Sequence, residues 1–286
     1  MSISSQTPDT SARAKADVTV IEPPGAGPNL RASELWAFRS LFWALVTRDI
    51  KVRYKQTALG FAWAILQPFM LMLVFSVFFG ALAKVPSDGY PYPLFVFAGL
   101  LPWMFFANAI STSARSVVGA QHLVNKVYFP RLLIPLSSIG ASLLDFFVAG
   151  IVLVLMLLAY DVSLSLQLLW VPLLTLAIIF TALGVGTLLA ALAVRYRDFG
   201  HVVPFMVQLW LFATPVVYPA SLVPAQWQWV LNLNPIAGLI TAFRAACLGQ
   251  TVDWQAAALS LAVGVGIFVL AIIYFDRTER SFADVI

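Results

Sequence analysis

The sequence predicts an all-α integral membrane protein. It predicts six transmembrane helices, an N-terminal interfacial amphipathic helix and an outer re-entrant hairpin between spans five and six. Of the 286 residues, 61% are hydrophobic and only 10% are charged, whereas a soluble domain carries about 25% charged residues. The mean hydropathy is +0.89. The charges also lie in short clusters between long uncharged runs, which is typical of a chain that crosses a bilayer repeatedly.

The first membrane entry organises the chain. Four basic residues and one acid occupy residues 48–55, and the next 28 residues, 56–83, carry no charge. A basic cluster directly before an apolar run marks entry from the cytoplasmic side. The chain therefore begins on that side, and the spans alternate from there.

Two segments precede this entry. Residues 1–32 are predicted to be a flexible cytoplasmic tail, because they are largely polar and lack the apolar core of a signal peptide. Residues 33–56 are predicted to form the interfacial amphipathic helix. Its apolar stripe comprises Leu35, Phe38, Leu41, Phe42, Leu45 and Val46.

Residues 57–275 are predicted to form the six-span domain, because a span takes about 20 residues. The uncharged runs place the spans near 59–82, 94–114, 132–160, 168–194, 202–217 and 254–275. Residues 276–286 are predicted to return to the cytoplasm as a tail. Of the 17 Lys and Arg residues, only Lys84 and Arg244 then fall outside, which fits the positive-inside rule.

The run from residue 199 to 243 is long enough for two spans, since its 45 residues carry no formal charge. From Pro215 onward it contains four prolines and several polar residues. Irregular polar backbone survives at membrane depth only where protein or water shields it. We therefore predict one crossing followed by a re-entrant outer hairpin at about 218–250. A seven-span topology fits less well, because it would move Arg277 and Arg280 outside.

The sequence offers no catalytic constellation. The phosphate-binding pattern G-x-x-x-x-G-K-[ST] is absent. His122 and His201 lie far apart in predicted loops, and Cys247 is the only cysteine. Neither a catalytic site nor a metal site is predicted.

Four ordered blocks carry a family resemblance. They are RDIKVRYKQTALGFAWAILQP (48–68), LVNKVYFPRLLIP (123–135), YRDFGHVVPFMVQLWLFATPVVYP (196–219) and LNPIAGLITAFR (233–244). The chain resembles the membrane permease of ATP-binding-cassette exporters for O-antigen, capsule and teichoic-acid polymers, over residues 33–286.

The resemblance implies a homodimer in the bacterial inner membrane with both termini in the cytoplasm. It implies two copies of a separate ATPase, which bind the ATP and Mg, so that this chain needs no cofactor. It implies a cargo of polysaccharide on a polyprenyl-diphosphate lipid. Membrane lipid is the remaining expected partner, and nucleic acid is not expected.

The same resemblance implies two contacts with the ATPase, the interfacial helix and a coupling helix between spans two and three. A brief helix at 117–128 that ends before Pro130 would suit the second contact. The predicted coupling residues are Arg48, Lys51, Arg53, Gln121, His122, Asn125 and Lys126. The alternative is that the basic residues are plain positive-inside anchors.

Aromatic side chains are abundant, with 22 Phe, 9 Trp and 8 Tyr. Some of them are expected to line a conduit and offer flat faces to sugar rings, although aromatic belts also occur at membrane interfaces. The candidates are Trp63, Phe69, Tyr90, Tyr92, Trp103, Trp210, Trp227 and Trp229.

Asp145 is the one acid well inside a predicted span. An intramembrane acid faces the bundle interior or a partner. Arg244 is the only basic residue of the predicted hairpin, and we predict that the two side chains form an ion pair in the outer half of the membrane. The alternative for Asp145 is a structural hydrogen-bonding role.

Three other functions compete with polymer export. A related permease would export a drug or a small lipid. A membrane-embedded enzyme of lipid-linked sugar chemistry would use Asp145, but it would need a second carboxylate or metal ligands at the same depth. A purely structural subunit would not need the basic helix and the coupling loop.

Overall fold

The computed structural model describes residues 32–55, 57, 59–124, 126–163 and 165–279. Every regular element in these ranges is a helix, so the predicted all-α class is confirmed. The predicted N-terminal tail lies almost entirely outside the described residues, as do the last seven residues of the C-terminal tail.

Eleven α-helices follow one another along the described chain. They are α1 (Ala32–Ala37), α2 (Arg39–Tyr54), α3 (Ala62–Phe75), α4 (Tyr92–Gly119), α5 (Gln121–Val124), α6 (Leu133–Ala159), α7 (Val171–Arg195), α8 (Phe199–Phe212), α9 (Gln228–Leu233), α10 (Ala237–Leu248) and α11 (Trp254–Glu279). A π-helical segment (Ser76–Leu82) continues α3, and 3₁₀ turns occupy Leu166–Trp170, Ala220–Leu222 and Ala225–Trp227.

Five helical segments of the described chain are long and apolar enough to cross a membrane. They are α3 with its π-helical extension, α4, α6, α7 with the 3₁₀ turn before it, and α11. The helix α8 is apolar but has only 14 residues, which reach about 21 Å at 1.5 Å per residue. The turns at residues 213–217 extend it to the other end of the bundle.

The bundle has two distinct ends. The basal end carries α1, α2, α5 and the last turn of α11, which share the apolar cluster that contains Leu45, Val124 and Phe275. The hairpin end carries the loop 83–91, the turn after α6 and residues 213–253. Tyr90 and Tyr92 join these segments by donating hydrogen bonds to the carbonyls of Leu248 and Val217.

The segment 218–250 returns to the end at which it starts. Its two flanks, Val217 and Leu248, both bind the start of α4 through the tyrosine hydroxyls. Between them, the α9 region and α10 are bent by 96° at a break of a few residues. Both flanks of the segment therefore lie at the same end of the bundle, as the predicted re-entrant hairpin requires.

The helix α4 lies at the centre of the bundle. Its residues are far more buried than those of the other spans, and it packs against α6 and α7. The helices α7 and α11 approach closely at small residues, since a Cβ on Gly264 would sit 2.7 Å from Thr181 Oγ1. Small residues at such contacts are typical of helix packing in membranes.

Two sequence expectations about local structure are wrong. The predicted helix at 117–128 is only the four-residue α5, because α4 continues to Gly119 and takes up the first part of that range. Arg115 is therefore part of a span rather than of the loop, and its exposed side chain lies in the last turns of α4. The interfacial helix also breaks at Phe38, which separates α1 from α2.

Candidate functional site

The basal surface combines the two segments that were predicted to contact an ATPase. Along α1 and α2 the predicted apolar stripe turns inward, with Leu45 and Val46 buried and the other members packed against the basal cluster. Leu45 and Val124 belong to the same basal cluster, so α2 and α5 lie at the same end of the bundle. Asn125 lies outside the described residues.

The predicted coupling residues fall into two groups. Lys51, His122 and Lys126 are exposed, and Arg48 is exposed while it donates to the adjacent Asp49. Gln121 is half-buried at the start of α5. Arg53 differs from the others, because its side chain points into the bundle.

Asp145 is the partner of Arg53. The Asp145 carboxylate accepts a hydrogen bond from Arg53 Nη1 at one oxygen and from the Tyr54 hydroxyl at the other. Asp145 lies near the middle of the 27-residue α6. The end of α2 is thus anchored at mid-height of a span.

Two further contacts hold α2 against α6. Ser138 lies within hydrogen-bond reach of Asp49 Oδ2, at 3.5 Å. A Cβ on Gly140 would lie 3.2 Å from Val46 Cγ2, so the helices pack closely there. The second half of α2 is therefore joined to residues 138–145 of α6 by an ion pair, a hydrogen bond and apolar packing.

The predicted pairing of Asp145 with Arg244 is wrong. Arg244 Nη1 donates to the carbonyls of Pro215 and Val216, at 2.9 and 3.1 Å, and its guanidinium carbon lies 4.0 Å from the centre of the Phe95 ring. These carbonyls follow the end of α8, where helical partners are lacking. Arg244 thus ties the buried α10 to α8 and α4 at the hairpin end.

Asn234 performs a similar role at the bend of the hairpin. Its amide nitrogen donates to Ala213 O and Thr214 Oγ1, and its amide oxygen accepts from Trp210 Nε1 and the Ile236 amide. The irregular backbone around the bend therefore has polar partners, as membrane depth requires.

Beside the Arg53–Asp145 pair lies a cavity of about 320 Å³. The C-terminal end of α2 and the middle of α6 form one side, and the first turns of α3 and the middle of α4 form the other. The lining residues are Arg53, Tyr54, Trp63, Ala64, Gln67, Pro68, Leu101, Met104, Phe105, Asn108, Thr112, Asp145, Phe146 and Ala149. It is a mixed polar and aromatic space between these helices, open on the side of α3, where Trp63 and Gln67 are exposed.

The predicted conduit aromatics also divide. Tyr90, Tyr92 and Trp210 donate hydrogen bonds within the chain, and Trp103 is buried in the core against Phe106. Hydrogen bonding and packing within the chain therefore account for these four residues. The rings of the other four candidates, Trp63, Phe69, Trp227 and Trp229, are exposed. For these residues the lining of a conduit stays a prediction.

Sequence reasoning missed the polar residues that the structure brings together. Tyr54, Gln67, Asn108 and Thr112 line the cavity, and Asn234 organises the hairpin bend. For Gln67, Asn108, Thr112 and Asn234 the available signal was polarity within a long uncharged run, because such residues face protein or water rather than lipid. Tyr54 lies in the basic cluster and carried no such signal.

Comparisons with known proteins converge on one family. Residues 40–248 match the family model described as the ABC-2 type transporter. The O-antigen export system permease protein RfbA of Myxococcus xanthus is 30% identical over 254 residues, which cover 88% of this chain and 97% of that protein. The protein of the same name from Klebsiella pneumoniae is 26% identical over 85% of this chain and 93% of its own length. The polysialic acid transport protein KpsM of Escherichia coli is 26% identical over 72% of this chain and 80% of its own length.

Proposed function

The chain belongs to the ABC-2 type transporter family, and we propose that it is the permease subunit of an exporter of lipid-linked polysaccharide in the bacterial inner membrane. The observation that carries this proposal is similarity over nearly the full length of permeases named for O-antigen export. The multi-pass helical bundle supports it, since a permease must enclose a path across the bilayer.

Membership of this family implies an ATPase subunit as the partner. The proposal assigns ATP and Mg to that subunit, because the sequence lacks the phosphate-binding loop. It further places the basal end, with both termini, in the cytoplasm, because the basic cluster of α2 lies there.

The basal surface is the proposed docking site for the ATPase. The exposed basic side chains of α2 and the exposed His122 of α5 lie at the same end of the bundle. Since α2 is fastened to α6 through Asp145, a displacement of α2 would move a transmembrane helix directly. This fastening supports α2 as the element through which the ATPase drives the spans.

A homodimer is the proposed assembly. Only Val203 is buried on α8, and α3 buries four of its 14 residues. These two helices therefore leave wide apolar faces for a second copy and for lipid. The polymer is proposed to pass between two such copies, where the exposed Trp63 and Phe69 would contact it.

The enzyme alternative lacks support at Asp145. Its carboxylate is engaged by two donors, and Asp145 is the only acid among the residues that line the cavity. The sugar chemistry of that alternative would need a second carboxylate or a metal ligand beside it.

Export can be tested with purified components. The permease and its ATPase would be reconstituted in vesicles, and ATP-dependent movement of lipid-linked polysaccharide into the lumen would be measured. We expect movement and hydrolysis only when both subunits are present. ATP hydrolysis by the permease alone, or ATP-driven movement of small lipids but not of the polymer, would overturn the proposal.

Docking can be tested on the basal surface. The triple change of Arg48, Lys51 and Lys55 to Glu reverses exposed charges but leaves Arg53 on Asp145 intact. We expect weaker co-purification of the ATPase with the span topology retained. The matched control is the change of Arg195 and Arg197 to Glu, which also alters exposed basic residues near the basal end. Equal loss of the co-purifying ATPase in both variants would show that the loss comes from the change in overall charge and not from docking on α2.

A further inference from the structure

The cavity beside the Arg53–Asp145 pair contains hydrogen-bonding groups that the protein does not use. Gln67, exposed at the mouth of the cavity, and Asn108, half-buried in its wall, make no side-chain hydrogen bond to the described residues, and Arg53 donates through Nη1 alone. At membrane depth such groups have no bulk water to pair with, and a polar group left unpaired there costs free energy. The cavity therefore favours an occupant that can pair with these groups.

The charge of the cavity restricts what that occupant is. Arg53 and Asp145 are its only charged residues, and they neutralise each other. An anion would meet the carboxylate, and a cation would meet the guanidinium. An acyl chain would leave both amides unpaired, so the chemistry suits a neutral polyhydroxyl molecule.

The side chains that line the cavity also suit a neutral polyhydroxyl molecule. Aromatic rings of Trp63, Phe105 and Phe146 line it beside the amides and the hydroxyl of Thr112. Aromatic faces pack on the apolar faces of sugar rings, while amides and the ion pair bond the hydroxyls. Its volume of about 320 Å³ is at the small end of the roughly 300–1,000 Å³ of ligand pockets, so it suits one sugar unit rather than a polymer segment.

We propose that this cavity is a binding site for a single sugar unit of the exported polymer, within one copy of the chain. This inference rests on the proposed export of polysaccharide. The lining extends from the first turns of α3 to the middle of α4 and of α6, between the basal end and mid-height of the bundle. The site therefore meets the sugar in the cytoplasmic half of the path, before the polymer completes its passage.

A photochemical probe tests the site directly in cells that make the polymer. A diazirine-bearing analogue would replace Met104, which is half-buried and lines the cavity. The matched control places the analogue at Ile151, which is 62% exposed on α6 and does not line the cavity. We expect carbohydrate on the permease after illumination at position 104, and only lipid at position 151.

Substitutions then test the chemistry. Asn108→Leu and Gln67→Met keep the volume but remove the amides, and each should lower the cross-linking to carbohydrate about two- to tenfold, the effect of one lost hydrogen bond. Gln255→Met is the control, because Gln255 is an exposed amide in the first turn of α11. Its cross-linking yield should equal that of the unsubstituted chain.

The outcomes separate the two proposals. Absence of polymer export by the unsubstituted chain would overturn the proposed function. Normal export with only phospholipid, or nothing, attached at position 104 would overturn the sugar site alone. Undiminished carbohydrate cross-linking in the Asn108 and Gln67 variants would likewise overturn it, because the amides would then have no part in binding.

Discussion

At the scale of single residues, charges inside the bundle have specific partners. Asp145 accepts from Arg53 and Tyr54, whereas Arg244 donates to backbone carbonyls and stacks on Phe95. An unpaired charge at membrane depth is costly, so each of these groups is held by polar atoms. The two charges belong to separate networks at different levels of the bundle.

The first prediction concerns the Arg53–Asp145 pair. Asp145→Asn or Arg53→Gln should each lower the free energy of unfolding by about 1–3 kcal/mol, because each leaves a partly buried partner unsatisfied. The double variant should recover part of that loss. Unfolding in mixed detergent micelles measures these values.

The control for this prediction is the exposed pair next to it. Arg48 is 47% exposed at its side chain where it meets Asp49, and exposed pairs contribute at most about 1 kcal/mol. Arg48→Gln should therefore change stability little. An equal loss of stability in Arg48→Gln and Arg53→Gln would contradict the conclusion that the pair of Arg53 with Asp145 stabilises the protein more than an exposed pair does.

The second prediction concerns Arg244. Arg244→Lys should destabilise the protein by about 2–3 kcal/mol, because an ammonium cannot reproduce the planar contact with Phe95 and the paired carbonyls. Combined with Asp145→Asn, the losses should add within about 0.5 kcal/mol, since the sites share no partner. Strong recovery of stability in the double variant would instead indicate that Arg244 and Asp145 pair directly.

At the scale of elements, the hairpin depends on a close approach of α10 to α11. A Cβ on Gly238 would lie only 2.1 Å from the carbonyl oxygen of Ala256. Ser260 Oγ on α11 accepts from the Gly238 amide and donates to Asn234 O, so it joins the two helices. The close approach of α10 to α11 therefore requires glycine at position 238, and it allows Ser260 to form its buried hydrogen bonds.

The third prediction follows from this contact. Gly238→Ala should destabilise the protein by about 1–3 kcal/mol through overpacking, and more if the helices cannot separate. Gly266→Ala on α11 is the matched control, because a Cβ there has open space. It should be neutral or stabilising by about 0.5–1 kcal/mol, since alanine favours a helix. Apparent melting temperatures of the purified variants measure the difference, and equal effects would refute the contact.

At the scale of the whole molecule, the two ends of the bundle should lie on opposite sides of the membrane. The fourth prediction tests this with cysteine labelling. Thr251→Cys, at the hairpin end, should react with an impermeant maleimide in intact spheroplasts, whereas Arg197→Cys, at the basal end, should react only after permeabilisation. Both positions are exposed, and the native Cys247 is buried.

The unsubstituted chain supplies the labelling control, because burial should keep Cys247 unreactive in both preparations. Labelling of Arg197→Cys in intact spheroplasts would place the basal end outside. That result would separate α2 from a cytoplasmic ATPase and would contradict the proposed orientation.

The sequence alone determined the membrane class, the approximate crossings and the apolar stripe of α2. These features depend on local quantities, the length of apolar runs relative to the bilayer and the spacing of side chains along a helix. The four blocks around residues 48–68, 123–135, 196–219 and 233–244 likewise indicated the family that the comparisons show.

Only the tertiary structure decided which distant groups meet. Position along a span placed Asp145 inside the membrane, but it could not reveal that the end of α2 reaches the same level, 92 residues earlier in the chain. Nor could it show that carbonyls after α8 satisfy Arg244, or that Gln67 and Asn108 share one cavity with the ion pair. Partners of charges and the shape of cavities are set by how helices pack, and packing joins residues whose separation in sequence carries no signal.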